Sequence, residues 1–243
     1  MSTIKANILV SPQELFTASS TQGTDLGAFA TTGDGRGYRY FLNGAVAAVP
    51  GKMYQGPAQD ATNQTPSGGL GVAASAAGSY TVTLTDSLTL AANLLAGGYM
   101  SIAVTPGQGY LYKIKSNTAV AAATGCVVTL EDPIQVALTT SSKVLVNLSP
   151  YNGAVVAPGT VTGTIIGVPI YAVPASQYGW VQSHGPTSCL VTGTFATAGL
   201  AVGMLVGGTI GSLAPAIAGT NVLGYTMTIA ATGQYALVNL TID

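Results

Sequence analysis

Charge is what this chain lacks most. Only 6% of its 243 residues are Asp, Glu, Lys or Arg, against about 25% in an average soluble domain. The basic residues, Lys5, Arg36, Arg39, Lys52, Lys113, Lys115 and Lys143, are scattered, and the formal net charge is −1. A protein that grips nucleic acid needs a concentrated basic field, so no nucleic-acid partner is expected. From Val144 to Ile242 there is no charged residue at all. Surface charge keeps free subunits apart. A segment this bare is expected to cover part of its surface with copies of itself or with a partner. The alternative is a neutral surface of Thr, Ser, Asn and Gln.

Catalytic and metal-binding residue types are scarce as well. The two cysteines, Cys126 and Cys189, cannot build a disulfide framework, and no CxxC or Cys/His cluster offers a zinc site. Each reads as a small buried hydrophobe, which suits assembly in a reducing cytoplasm. The single histidine, His184, has no acid in its own charge-free segment to orient it as a triad would require, and reads as a loop histidine. The acids are Glu14, Asp25, Asp34, Asp60, Asp86, Glu131, Asp132 and Asp243. Glu131 and Asp132 are adjacent, and neighbours on a strand point to opposite faces, so they do not flank a cleft as a glycosidase pair does. Gly33 to Gly37 lacks the Gly-Lys-Ser/Thr ending of a phosphate loop, and there is no oxygen-rich calcium loop. The sequence therefore predicts no enzyme, no catalytic residue, no metal and no cofactor.

Long apolar runs are missing too. The barest window, Leu200 to Gly219, contains Pro215 and several glycines and has no Lys or Arg anchors. No membrane partner is expected. The N-terminal stretch has no long apolar region of the secretory type, so no signal peptide is expected.

What is present points to strands. Hydrophobic residues make up 48%, mostly Ala and Val, and there are 32 glycines. Val and Thr suit a pleated sheet, and Gly supplies the turns. The expected fold is all-β: two small β-sandwich or β-barrel-like units with an extended N-terminal arm. Residues 1–37 read as the arm, with a short helix at Pro12 to Phe16 capped by Ser11. Residues 38–149 form a first unit: a hairpin from Tyr38 to Gln55 around an Asn43-Gly44 turn, a polar loop at 56–71, then strands such as Tyr80 to Leu84, Tyr99 to Val104 and Tyr110 to Ser116. Residues 150–243 form the charge-poor second unit, with strands at Ala154–Val156, Thr164–Val168, Tyr171–Val173, Gly179–Gln182, Cys189–Val191, Met204–Val206, Leu223–Ile229 and Tyr235–Ile242. The only Trp, Trp180, reads as core; with Tyr171 and Tyr178 exposed beside it, it would instead serve as an anchor for a partner or sugar.

The segment GDGRGYRYFLNGAVAAVPGKMYQGPA, with Asp34, Gly35, Arg36, Tyr38, Tyr40, Gly44, Gly51, Lys52, Met53, Tyr54 and Gln55, resembles the opening of a group of tailed-phage structural proteins. The middle cues Tyr80 to Leu84, Gly97-Gly98-Tyr99 and Val128 to Asp132 are similar to the same group. Ile166-Gly167-Val168, Gly179-Trp180-Val181-Gln182 and the terminal Val238 to Asp243 resemble capsid decoration (cement) proteins. The resemblance implies no enzymatic activity, homo-oligomers (often trimers) on the outside of a virion, and a major capsid protein as partner. Assembly would take place in the bacterial host cytoplasm. The arm and the strand after it offer Phe16, Phe29, Arg36, Tyr38 and Arg39 as partner-contacting residues. The alternative is a head-fibre or tail-tip module that binds a receptor or glycan.

Overall fold

The computed structural model describes residues 8–204, 207–217 and 221–242. In chain order the elements are β1 (Ile8–Leu9), α1 (Pro12–Leu15), β2 (Phe29–Thr31), β3 (Gly37–Asn43), β4 (Tyr54–Gln55), β5 (Leu70–Gly71) and β6 (Thr81–Leu84). Then come β7 (Leu88–Leu90), β8 (Tyr99–Val104), β9 (Leu111–Asn117), β10 (Val120–Ala123), β11 (Cys126–Leu130) and β12 (Lys143–Asn147). The last are β13 (Asn152–Val156), β14 (Ile165–Pro169), β15 (Tyr178–Leu190), β16 (Ala201–Gly203), β17 (Ala214–Pro215), β18 (Gly224–Thr226) and β19 (Tyr235–Thr241). The chain is all-β, as its Val, Thr and Gly content predicts.

The elements fall into two compact units, one made of Met1–Pro57 with Pro150–Asp243, the other of Ala58–Ser149. In the inserted unit six strands lie in the order β5-β12-β8-β9-β11-β6, all antiparallel. Ala73 N–H donates to Thr83 O at 2.9 Å and Thr85 N–H to Gly71 O at 2.9 Å, so the chain around β5 also pairs with β6 and the sheet closes into a barrel. Every second side chain points inward: Val82 and Leu84, Met100 and Ile102, Val144 and Val146 belong to one buried cluster. Each such residue contributes about 1.5–3 kcal/mol by leaving water. Closure also removes the free edges on which sheets aggregate. β7 and β10 pair separately.

The other unit is built on a ring of five strands. β3 pairs with β13 and with β15, and β13, β4, β14 and β15 pair in turn. One side chain from each strand fills the ring: Phe41, Tyr54, Ala154, Ile166 and Val181. β15 then runs on past the ring, pairing with β19 and through it with β18, β16 and β17. This sheet covers a second cluster that includes Met53, Cys189, Phe195, Leu213 and Val238. A third cluster joins Val10, Leu15, Ala30, Tyr38, Tyr40 and Trp180.

The units differ from those the sequence suggests. Residues 8–37 are no extended arm: β2 pairs with β3, and Leu15 and Ala30 are buried. Residues 1–7 of the expected arm lie outside the described residues. The helix is present with a full capping box, Ser11 Oγ accepting from Glu14 N–H while Glu14 accepts from Ser11 N–H. Asn43-Gly44 does not turn β3 back on β4, because β13 stands between them and runs parallel to β3. Instead Asn43 Nδ2 donates to the carbonyls of Val46, Val173 and Pro174 and fastens two loops together. Tyr171–Val173 forms no strand, and Leu205 and Val206 of the expected strand Met204–Val206 lie outside the described residues.

The chain leaves the ring at Pro57 and re-enters at Pro150, and the two crossings touch. A Cβ on Gly56 would lie 2.6 Å from the Cα of Pro150, closer than atoms approach. Only glycine lets the two segments run this close.

Candidate interaction surface

The partner-contacting residues expected from the sequence do not form one patch. Phe16 is exposed (58%), its ring tilted against Tyr171 at 6.2 Å. Phe29 is half-buried because it faces Arg39 across the β2–β3 pair, with the guanidinium 4.7 Å from its ring centre. Arg39 Nη1 also donates to Gly27 O at 3.0 Å. Arg36 Nε donates to Asp34 Oδ2 at 2.8 Å, and its guanidinium lies 5.9 Å over the Tyr38 ring. A hydrogen bond from Thr32, with help from Arg36, holds the Asp34 carboxyl below the usual range. Tyr38 is fully buried, which corrects its assignment as a contact residue: strand alternation turns it into the core with Tyr40, and burial pushes its hydroxyl pKa up.

His184 stands on β15 rather than in a loop, exposed, opposite Thr241 on β19 and Gly37 on β3. Among the described residues no three His, Cys, Asp or Glu side chains gather to hold a metal ion, and no helix is long and apolar enough to cross a membrane. Burial pushes the Cys189 thiol up to about 12. Trp180 is core, its ring edge-on to Tyr40 at 5.0 Å while Tyr40 stacks on Tyr178. Trp180 is core as expected, and the alternative exposed platform is not formed: Tyr178 packs half-buried on the Trp180 cluster and Tyr171 half-buried on that of the ring.

A group of exposed apolar side chains lies where charge is absent. β18 and β19 run antiparallel with Thr226 opposite Val238. Thr226, Ala236, Val238 and Leu240 point into the core, so their neighbours point out. Those neighbours are apolar too: Tyr225, Tyr235 and Leu237 lie on the strands, and Met227 and Ile229 are exposed in the bend that follows β18, where Thr228 is exposed as well. Met227 N–H donates to Leu237 O and ties that bend to β19. Ile229 is the most exposed at 69%. No charge lies between Val144 and Ile242 to break up this face. Scattered apolar residues are normal on a surface, but a contiguous group of this kind marks a contact. The sequence signal was there, in apolar residues at both parities of Tyr235-Ala-Leu-Val.

Comparison with known protein families, curated protein sequences and solved structures finds no match to the chain.

Proposed function

We propose that the chain is a non-enzymatic structural protein of a tailed-phage particle, one that sits on the outside of the capsid and stabilises the head by bridging major capsid protein subunits. The observation that carries this reading is the uncharged apolar face of Tyr225, Met227, Ile229, Tyr235 and Leu237. Such a face gains by leaving water, at about 25 cal/mol per Å² before the costs of association are deducted. Copies of the chain meet through this face, with no like charges to oppose them. A group of copies then grips several capsid subunits at once. Avidity of this kind exceeds a single contact by about 10²–10⁴ without any new interaction. The sequence resemblance running from Asp34 onward is the ground for choosing a tailed-phage particle as the larger assembly.

The test is a pair of surface variants, Leu237→Asp and Ile229→Asp. Sedimentation of the purified protein is expected to show an oligomer that the variants disperse, with a matching loss of binding to phage shells. A wild-type protein that sediments as a single subunit and ignores the shells would overturn the proposal.

A further inference from the structure

The loop of residues 44–49 crosses beside β13 and leaves a pocket of about 210 Å³. Ala45, Val46, Ala47 and Val49 line it from the loop, Val155 and Val156 from the strand. The loop is pinned. Gly44 N–H donates to Ala154 O at 2.8 Å and Ala48 N–H to Val173 O at 2.7 Å, while Asn43 Nδ2 donates to Val46 O at 2.9 Å. A loop tied at these points does not sink into the gap, so the pocket is formed in advance of any ligand. Val46, Val49 and Val155 remain 78%, 40% and 41% exposed around it. Three exposed valines at one hollow make an apolar patch rather than scattered surface residues.

Two polar groups interrupt the apolar wall. Lys52 is the only charged residue in the lining, and it is half-buried. A Cβ on Gly211 would lie 2.8 Å from both the Lys52 Cβ and the Val156 Cγ2, so glycine there lets the lysine stem pack beside the pocket wall. Among the described residues Lys52 has no ion pair, and no carboxylate lines the pocket. Tyr54 is 2% exposed, and its Oη accepts from Val49 N–H at 3.2 Å. The hydroxyl proton goes to no acceptor among the described residues.

These features narrow the ligand. A small inorganic anion stays hydrated and gains nothing from valine walls. A purely apolar molecule leaves the lysine without a counter-ion. An aliphatic tail with a carboxylate at its end satisfies both, and a charge-assisted hydrogen bond to an ammonium is stronger than a neutral one. The pocket is smaller than the about 300–1,000 Å³ of drug-sized sites, which keeps the tail short.

We infer that this pocket binds a short aliphatic carboxylate, its tail among the valines and its head on the Lys52 ammonium, with the Tyr54 hydroxyl as a further donor. None of the lining residues belongs to the β18–β19 face, so the two readings fail or succeed separately. The test titrates the full chain with hexanoate and follows amide shifts by NMR, with hexanol and hexylamine as controls of the same tail. Hexanoate is expected to give saturable shifts in residues 44–49, hexanol to bind about tenfold more weakly and hexylamine to be silent. Lys52→Met keeps the apolar stem and is expected to erase the preference for hexanoate over hexanol, with an unchanged melting temperature. Val46→Asp sets a like charge at the rim, on a side chain too exposed to affect folding, and is expected to weaken hexanoate about tenfold as well. Absence of saturable hexanoate binding overturns the inference, as does a carboxylate preference that survives Lys52→Met. An acetylated dipeptide ending in valine that binds where hexanoate does not would make the occupant a chain terminus and overturn it too.

Discussion

Asn117 is buried at the end of β9 with every polar atom of its side chain engaged. Its Oδ1 accepts from Leu95 N–H at 2.9 Å, and its Nδ2 donates to the carbonyls of Ala91 at 2.9 Å and Thr118 at 3.0 Å. Asn117→Ala orphans these groups and is expected to cost about 2–4 kcal/mol in urea unfolding. Asn117→Asp keeps the acceptor but turns a carboxylate toward two carbonyls, and is expected to be destabilised as well; an unchanged midpoint in both would refute the role. Two other buried groups give the chain a pH dependence on the alkaline side. Burial pushes Cys189 up from 9.0, and Tyr171 up from 10.0, to about 12 each. A group whose folded pKa is raised stabilises fully below its unfolded pKa and loses that contribution as pH rises toward the folded one. Stability is therefore expected to fall between about pH 9 and 12. Cys189→Ala is expected to flatten part of that decline in thermal melts, and an identical slope would refute the assignment. The alternating apolar residues of the barrel, such as Met100 and Ile102, were legible in the sequence. The roles of Asn117 and Gln182 were not, because an amide in a sequence carries no sign of which distant carbonyls it meets.

At the scale of elements, β15 is the piece the sequence divided. Gly179–Gln182 and Cys189–Val191 read as two strands because Gly185-Pro186 lies between them, and Pro lacks the ladder's N–H. The chain carries the strand through, with Gly185 at φ +84° and the Gln182 amide holding the carbonyls on either side of Gly185. The expected arm failed for a related reason. Its polar, Gly-rich composition is that of a loose segment, but a few apolar residues, Val10, Leu15 and Ala30, are enough to anchor it. Removing residues 1–36 takes away β2, α1 and part of that cluster. The truncated chain is expected to lose cooperative unfolding by calorimetry, where a dispensable arm would leave the transition unchanged.

At the scale of the whole molecule, the all-β class followed from composition, whereas the partition into units depended on pairings far apart in sequence. β3 and β4 complete a ring whose other strands follow Pro150, so residues 150–243 alone are expected not to fold. Residues 58–149 carry their own closed barrel and core and are expected to fold in isolation, with dispersed amide resonances by NMR. A collapsed spectrum from that fragment would count against an independent core. Gly56 against Pro150 has a wider consequence. A guest barrel whose entry and exit share one doorstep can be gained, exchanged or deleted without rethreading its host. Relatives of this chain can therefore differ by that whole module while keeping the same ring.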